Sequence, residues 1–125
     1  MEISKVFDIQ ELAQEFMHSP KVEMSGKNAV LMYDYETESG DYKWTGITFL
    51  GVLDYWHTSE SNVSEYMLEA YNALTVVKDS NWMDNSKFVS CIQIEDKEIN
   101  HYLIYFDGYG AYEFICTGAI QGIEV

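Results

Sequence analysis

Ile99–Phe106 and Ala111–Cys116 flank Asp107-Gly108-Tyr109-Gly110, and both flanking runs alternate in side-chain character. This unit constrains the fold more tightly than any other in the chain. In a strand the side-chain period is two, so a one-residue slip exchanges the two faces. A loop with an even residue count would set Tyr102, Ile104 and Phe106 on the face of Glu113. An odd count aligns them with Tyr112, Phe114 and Cys116 instead and makes one continuous apolar face. The pattern therefore predicts a hairpin with a three- or five-residue loop and a glycine in a left-handed bulge position. The opposite face then carries His101, Leu103, Tyr105, Ala111, Glu113 and Ile115.

Other segments also read as strands. In Lys27–Thr37, Ala29, Leu31, Tyr33 and Tyr35 point one way, and Val30, Met32, Asp34 and Glu36 the other, as in a half-buried strand. Glu38-Ser39-Gly40-Asp41 supplies turn chemistry. Tyr42–His57 is rich in Trp, Thr, Ile, Phe, Val and Tyr, but 16 residues is long for one strand. Its Gly46 and Gly51 mark a bulge or bend, with a break expected at Gly51. Leu74–Val77 and Phe88–Ile94 complete the strand set, separated by the polar loop Asp79–Ser86, which carries Trp82.

Two helices are expected. Asp8-Ile9-Gln10-Glu11 has the form of a capping box, and Ile9, Leu12, Ala13 and Phe16 follow helical spacing as far as Pro20. That places a helix at about 8–18. Val63, Met67, Ala70, Tyr71 and Leu74 share a second helical face, with Ser61 or Asn62 as cap and Glu65 near the third position. The order of elements predicts an α+β fold: an N-terminal helix, a short central helix, and one mostly antiparallel sheet of about five to seven strands ending in a meander.

Length argues for one domain, 1–125. Ten Tyr, three Trp and six Phe provide a large core, at roughly 150–250 Å² buried per ring, which separates this chain from acidic disordered sequences. Cys91 and Cys116 lie in apolar runs and form no CxxC, so both are expected as buried reduced thiols. Met1–Phe7 lacks the form of a signal peptide, and the uncharged stretch Trp44–Leu53 is too short to span a bilayer. A soluble, cytoplasmic protein is the expectation.

The charge balance carries most of the functional reading. Twenty-one acids face seven lysines and no arginine, a formal net charge of −14. Such a surface repels phosphate backbones and anionic lipids and attracts cations and basic surfaces. The rings Tyr33, Tyr35, Tyr42, Trp44, Tyr55 and Trp56 would stack bases only beside cationic residues that track phosphates. From Trp44 to Val77 there is no lysine, so nucleic acid is not an expected partner. Gly108-Tyr109-Gly110 joins strand to strand and lacks the helix terminus that a phosphate cradle needs. No GxSxG, Walker, HExxH or GxGxxG motif is present. His57, His101, Asp107 and Glu113 have ligand chemistry, but His101 and Glu113 sit near opposite ends of the hairpin register. No metal, cofactor or catalytic residue is expected. Carboxylate pairs involving Asp34, Glu36 or Asp54 in an aromatic cleft form the alternative, a small hydrolase or ligand-binding domain.

The favoured expectation is a non-enzymatic protein-binding domain. Its partner-binding residues are the acids of the lysine-free stretch, Asp54, Glu60, Glu65 and Glu69, with Trp56 as anchor. In composition the chain resembles bacterial immunity proteins that neutralise basic nuclease toxins, which implies a basic protein partner. Asp79-Ser80-Asn81-Trp82, together with the run His101–Glu113, is similar to segments of small bacterial proteins without an assigned activity. That resemblance implies a bacterial origin and nothing about chemistry.

Overall fold

The computed structural model describes residues 2–9, 18–78 and 99–122. Nine strands lie within them: β1 (Glu2–Asp8), β2 (Lys21–Ser25), β3 (Asn28–Glu36), β4 (Tyr42–Leu50), β5 (Asp54–Thr58), β6 (Ala73–Lys78), β7 (Asn100–Phe106), β8 (Gly110–Cys116) and β9 (Gly118–Gln121). They form two antiparallel sheets, one ordered β1-β6-β7-β8-β5 and the other β2-β3-β4-β9. The sheets pack face to face. Ala29, Leu31, Tyr33, Ile47 and Phe49 of the four-stranded sheet share one core with Leu74, Tyr102, Ile104, Phe106, Tyr112 and Phe114 of the other. Phe49 stacks on Phe114 with ring centroids 3.9 Å apart, and Tyr33 meets Phe106 at 5.2 Å.

The α+β expectation is thereby corrected: the described residues form a mostly β, two-sheet fold and contain no α-helix. Asp8, expected to cap an N-terminal helix, is the last residue of β1 and pairs with Ala73. Its carboxylate takes the Lys5 ammonium at 3.2 Å. Ile9 N–H donates to Asn72 O and continues the strand pairing, and the Ile9 side chain is buried in the inter-sheet core. A β-bulge between Lys5 and Phe7 changes the facing of β1. Ile3 therefore packs on the outer side of the five-stranded sheet, while Phe7 packs inward. Residues 10–17 of the expected helix lie outside the described residues. So do the loop with Trp82, the strand Phe88–Ile94 and Cys91.

The central helix is also corrected. The chain makes two 3-10 segments, Glu60–Asn62 and Glu65–Ala70. In a 3-10 turn, residues three apart eclipse. Met67 and Ala70 accordingly share one side and are both buried, whereas Tyr71, assigned to that face by a 3.6-residue period, is exposed. Asn72 then takes φ 51, a conformation that Asn tolerates, and Leu74 turns into β6 and the inter-sheet core.

The hairpin register agrees with the pattern argument. Tyr102 pairs with Phe114 and Ile104 with Tyr112, around a three-residue loop Asp107–Tyr109. Gly108 and Gly110 both have positive φ, and a Cβ on Gly110 would collide with the Thr58 carbonyl oxygen. The break at Gly51 is present as well, and it does more than end a strand. It carries the chain from β4 in one sheet to β5 in the other. Thr117 makes the return crossing, its N–H and hydroxyl both donating to Leu50 O at 2.9 Å. Cys116, beside that corner, is a free buried thiol. No helix among the described residues is long and apolar enough to cross a membrane.

Candidate functional site

Trp56 and Glu113 face each other across β5 and β8, so they share the outer face of the five-stranded sheet. Thr58, two residues along β5, lies on the same face. The second 3-10 segment lies over this face. Its Met67 and Ala70 pack with Val77, Leu103, Tyr105 and Ala111. Between the segment and the edge strand β5 remains an open cleft of about 310 Å³, lined by Trp56, Thr58, Tyr66, Met67 and Glu113. Trp56 is 60% exposed, whereas Glu113 is only 4% exposed.

Glu113 is held by two donors. Tyr66 OH donates to its Oε1 at 2.8 Å, and His101 Nε2, itself 1% exposed as a residue, donates to the same oxygen at 2.9 Å. A buried carboxylate requires such partners, because transfer of an unpaired charge from water is costly. Burial, and then the bond to Glu113, push the Tyr66 hydroxyl well above the ordinary Tyr range, so it remains a donor. His101 and Glu113, read from the sequence as lying near opposite ends of the hairpin register, are hydrogen-bonded. His101 pairs with Ile115 and Leu103 with Glu113, which makes His101 and Glu113 diagonal neighbours within reach of long side chains. Their common face and their two-residue offset were both legible in the sequence. The covering Tyr66 and Met67 were not, because their placement depends on 3-10 geometry.

The acids of the lysine-free stretch divide by environment. Glu65 and Glu69 are exposed, on either side of the 51%-exposed Leu68, and make no ion pair among the described residues. Exposed Tyr71 follows them. Glu60 is committed internally. It accepts from Tyr105 OH at 2.7 Å and 2.8 Å and from the N–H of Gly108, and so ties the first 3-10 segment to the β7–β8 loop. The Tyr105 hydroxyl, and then that N–H, hold the Glu60 carboxyl below its ordinary range. Asp54 is half-buried at the head of β5, its Oδ1 accepting from Tyr55 N–H at 2.9 Å.

The remaining candidates separate. His57 stacks on Tyr112 and donates through Nε2 to Tyr109 O at 3.0 Å. Asp107 accepts from Tyr105 OH at 3.3 Å. No group of three His, Cys, Asp or Glu placed to hold a metal occurs among the described residues. Asp34 is fully buried rather than on a wet strand face, and Oδ2 accepts both the backbone N–H and Nδ1 of His18 at 2.9 Å. The His18 ring stacks on Trp44, over which Lys21 also lies at 5.1 Å. Glu36 is exposed at the end of β3. Of the aromatic set, Tyr33 is core, Tyr35, Tyr42 and Tyr55 are half-buried, and Trp44 and Trp56 are exposed. Comparison with protein-family models, with curated proteins and with solved structures yields no match.

Proposed function

We propose that this chain is a non-enzymatic domain that binds a basic protein, acting as an immunity-type inhibitor of a basic bacterial toxin. One observation carries the reading. The second 3-10 segment buries Met67 and Ala70 and leaves Glu65, Leu68 and Glu69 exposed, beside a cleft rimmed by exposed Trp56. Uncompensated carboxylates next to exposed apolar and aromatic side chains suit a basic partner: the charges steer encounter and the rings anchor it. The net charge of −14 extends the attraction over the whole chain.

The test begins with affinity capture from a lysate and continues with the purified basic protein. The on-rate should fall steeply between 0.1 M and 1 M salt, as the Debye length shrinks from about 10 Å to about 3 Å. Glu65→Gln with Glu69→Gln should lower the on-rate and flatten its salt dependence, with a smaller change in off-rate. The partner should be a toxin whose activity is suppressed on binding. An acidic or neutral partner with a salt-independent on-rate refutes the reading. A ligand-binding domain is the second reading, favoured by the cleft itself. Glu113 is the one carboxylate among its described lining residues, which leaves paired-carboxylate hydrolysis without its second member there.

A further inference from the structure

We infer that the cleft receives an arginine side chain of the basic partner, with its guanidinium stacked on Trp56 and donating to Glu113 Oε2. The inference rests on the protein-binding reading and supplies its central contact.

The observation behind it is the asymmetry of Glu113. Both bonds to its carboxylate, from Tyr66 and His101, end on Oε1. Oε2 accepts none among the described residues. No side-chain oxygen there is both sealed from solvent and without a partner, so Oε2 opens into the cleft that Glu113 lines. A carboxylate oxygen at the floor of a largely apolar cleft accepts best from a cation, because the attraction of opposite charges, less screened there than in water, adds to the hydrogen bond. Beside it on the same sheet face stands an indole, the best of the aromatic faces for a cation. Trp56 and Glu113 are cross-strand partners, so the spacing of their backbones is fixed by strand pairing rather than by loop conformation. A group that is planar, cationic and weakly hydrated satisfies both neighbours at once. Guanidinium has those properties, and an ammonium, a compact and strongly hydrated charge, does not. The apolar stem of such a side chain would lie along Met67, and the Thr58 hydroxyl offers a further acceptor at the rim.

The probe is N-acetyl-arginine methylamide, titrated while the Trp56 indole N–H is followed by NMR, with Trp56→Phe assigning the signal. Lysine and citrulline analogues serve as controls. Arginine should shift the Trp56 signal saturably, lysine should bind more weakly, and citrulline, isosteric but uncharged, should leave it unmoved. Trp56→Ala changes an exposed side chain and should cost about two- to fivefold in affinity, read from the shifts of neighbouring amides. Glu113→Gln should abolish the preference of arginine over citrulline. Should Glu113→Gln fail to fold, Trp56→Ala and the citrulline comparison still decide the matter. Citrulline binding as tightly as arginine overturns the inference, and so does an affinity unchanged by Trp56→Ala. If arginine fails while the captured basic partner still binds with a salt-dependent on-rate through Glu65 and Glu69, the cleft assignment is overturned and the protein-binding reading stands. If the partner also binds without salt dependence, both fall.

Discussion

Phe114→Ala tests whether the two sheets are held together where the rings place them. Phe114 is fully buried on β8, its ring stacked on Phe49 of the facing sheet at 3.9 Å with an interplanar angle of 11° and tilted against Tyr55 at 5.0 Å. Truncation removes the transfer free energy of a phenyl group and leaves a cavity whose walls belong to two sheets, which limits its collapse. The cost should be about 3–5 kcal/mol. Against a typical total of about 5–15 kcal/mol, this variant would remain folded only marginally, so the pair itself is better measured with leucine. Phe114→Leu and Phe49→Leu retain most of the apolar volume and remove the ring contact. Their double-mutant cycle should show a coupling of about 0.5–1.5 kcal/mol. Urea denaturation followed by far-UV circular dichroism gives the values, with unchanged m confirming that the unfolding transition is the same. A loss below about 1 kcal/mol for Phe114→Ala, typical of a site outside a packed core, would refute the face-to-face packing. Strict additivity of the two leucine variants would refute the stacked pair.

Three further expectations follow from the same structure. Gly51→Ala should destabilise by about 1–2 kcal/mol for its left-handed φ of 60 alone. A further loss is expected because the new Cβ would sit 2.8 Å from Thr117 Oγ1; urea midpoints measure the sum. Glu60→Gln should speed hydrogen exchange at Gly108 N–H and remove a part of the acid-side stability. The Glu60 carboxyl titrates below its ordinary value of about 4.3, so its contribution is present above that pH and lost as pH falls through the lower folded value. Alkaline stability has the opposite sign. Burial raises the hydroxyls of Tyr66 and Tyr105, and pushes Tyr112 and the Cys116 thiol up to about 12. The fold is therefore favoured below the unfolded values, about 8.5 for Cys and about 10 for Tyr, and should weaken as pH rises above them. Thermal melts from pH 8 upwards that show no such decline would contradict the burial of these groups.

The sequence was most legible where side-chain period and turn chemistry agreed. In β7–β8, parity forced an odd loop, and in Tyr42–His57 a glycine marked the break. What the break accomplished was not legible, because a strand ending at Gly51 reads the same whether the next strand stays in its sheet or leaves it. The hydrogen bonds that decide this join Leu50 to Thr117 and Leu53 to Ile115, more than 60 residues away. The N-terminal segment misled for a related reason. Glu2–Asp8 does not alternate cleanly, since its bulge turns Ile3 and Phe7 to different sides, and Asp8, followed three residues later by Glu11, reads as a helix cap although it ends a strand. Local propensity there yielded to pairing with Ala73–Lys78, which the local pattern does not encode. In the second 3-10 segment, Met67 and Tyr71 suit a 3.6-residue period, and Met67 and Ala70 suit a period of three. Only the sheet beneath decides between them.

The site belongs to the same alternation that makes the core. Along β8, Tyr112, Phe114 and Cys116 face the other sheet, and Ala111, Glu113 and Ile115 face away from it. An outward residue in a two-layer fold is normally wet, yet Glu113 is buried, because the 3-10 segment covers the sheet at that point. The cover is incomplete at the edge strand, where Trp56 stands exposed. One carboxylate oxygen is thereby fixed by Tyr66 and His101 while the other remains open. A side chain on a surface loop would lose conformational freedom on meeting a partner, whereas Glu113 is already ordered by strand pairing and two donors. Its contribution to binding is correspondingly less reduced by ordering entropy. The exposed Glu65 and Glu69, free of such constraints, suit the long-range part of the encounter. On the proposed reading, sheet and segment would divide the two tasks that recognition of a basic partner requires: attraction from a distance at Glu65 and Glu69, and a preorganised contact at Glu113 and Trp56.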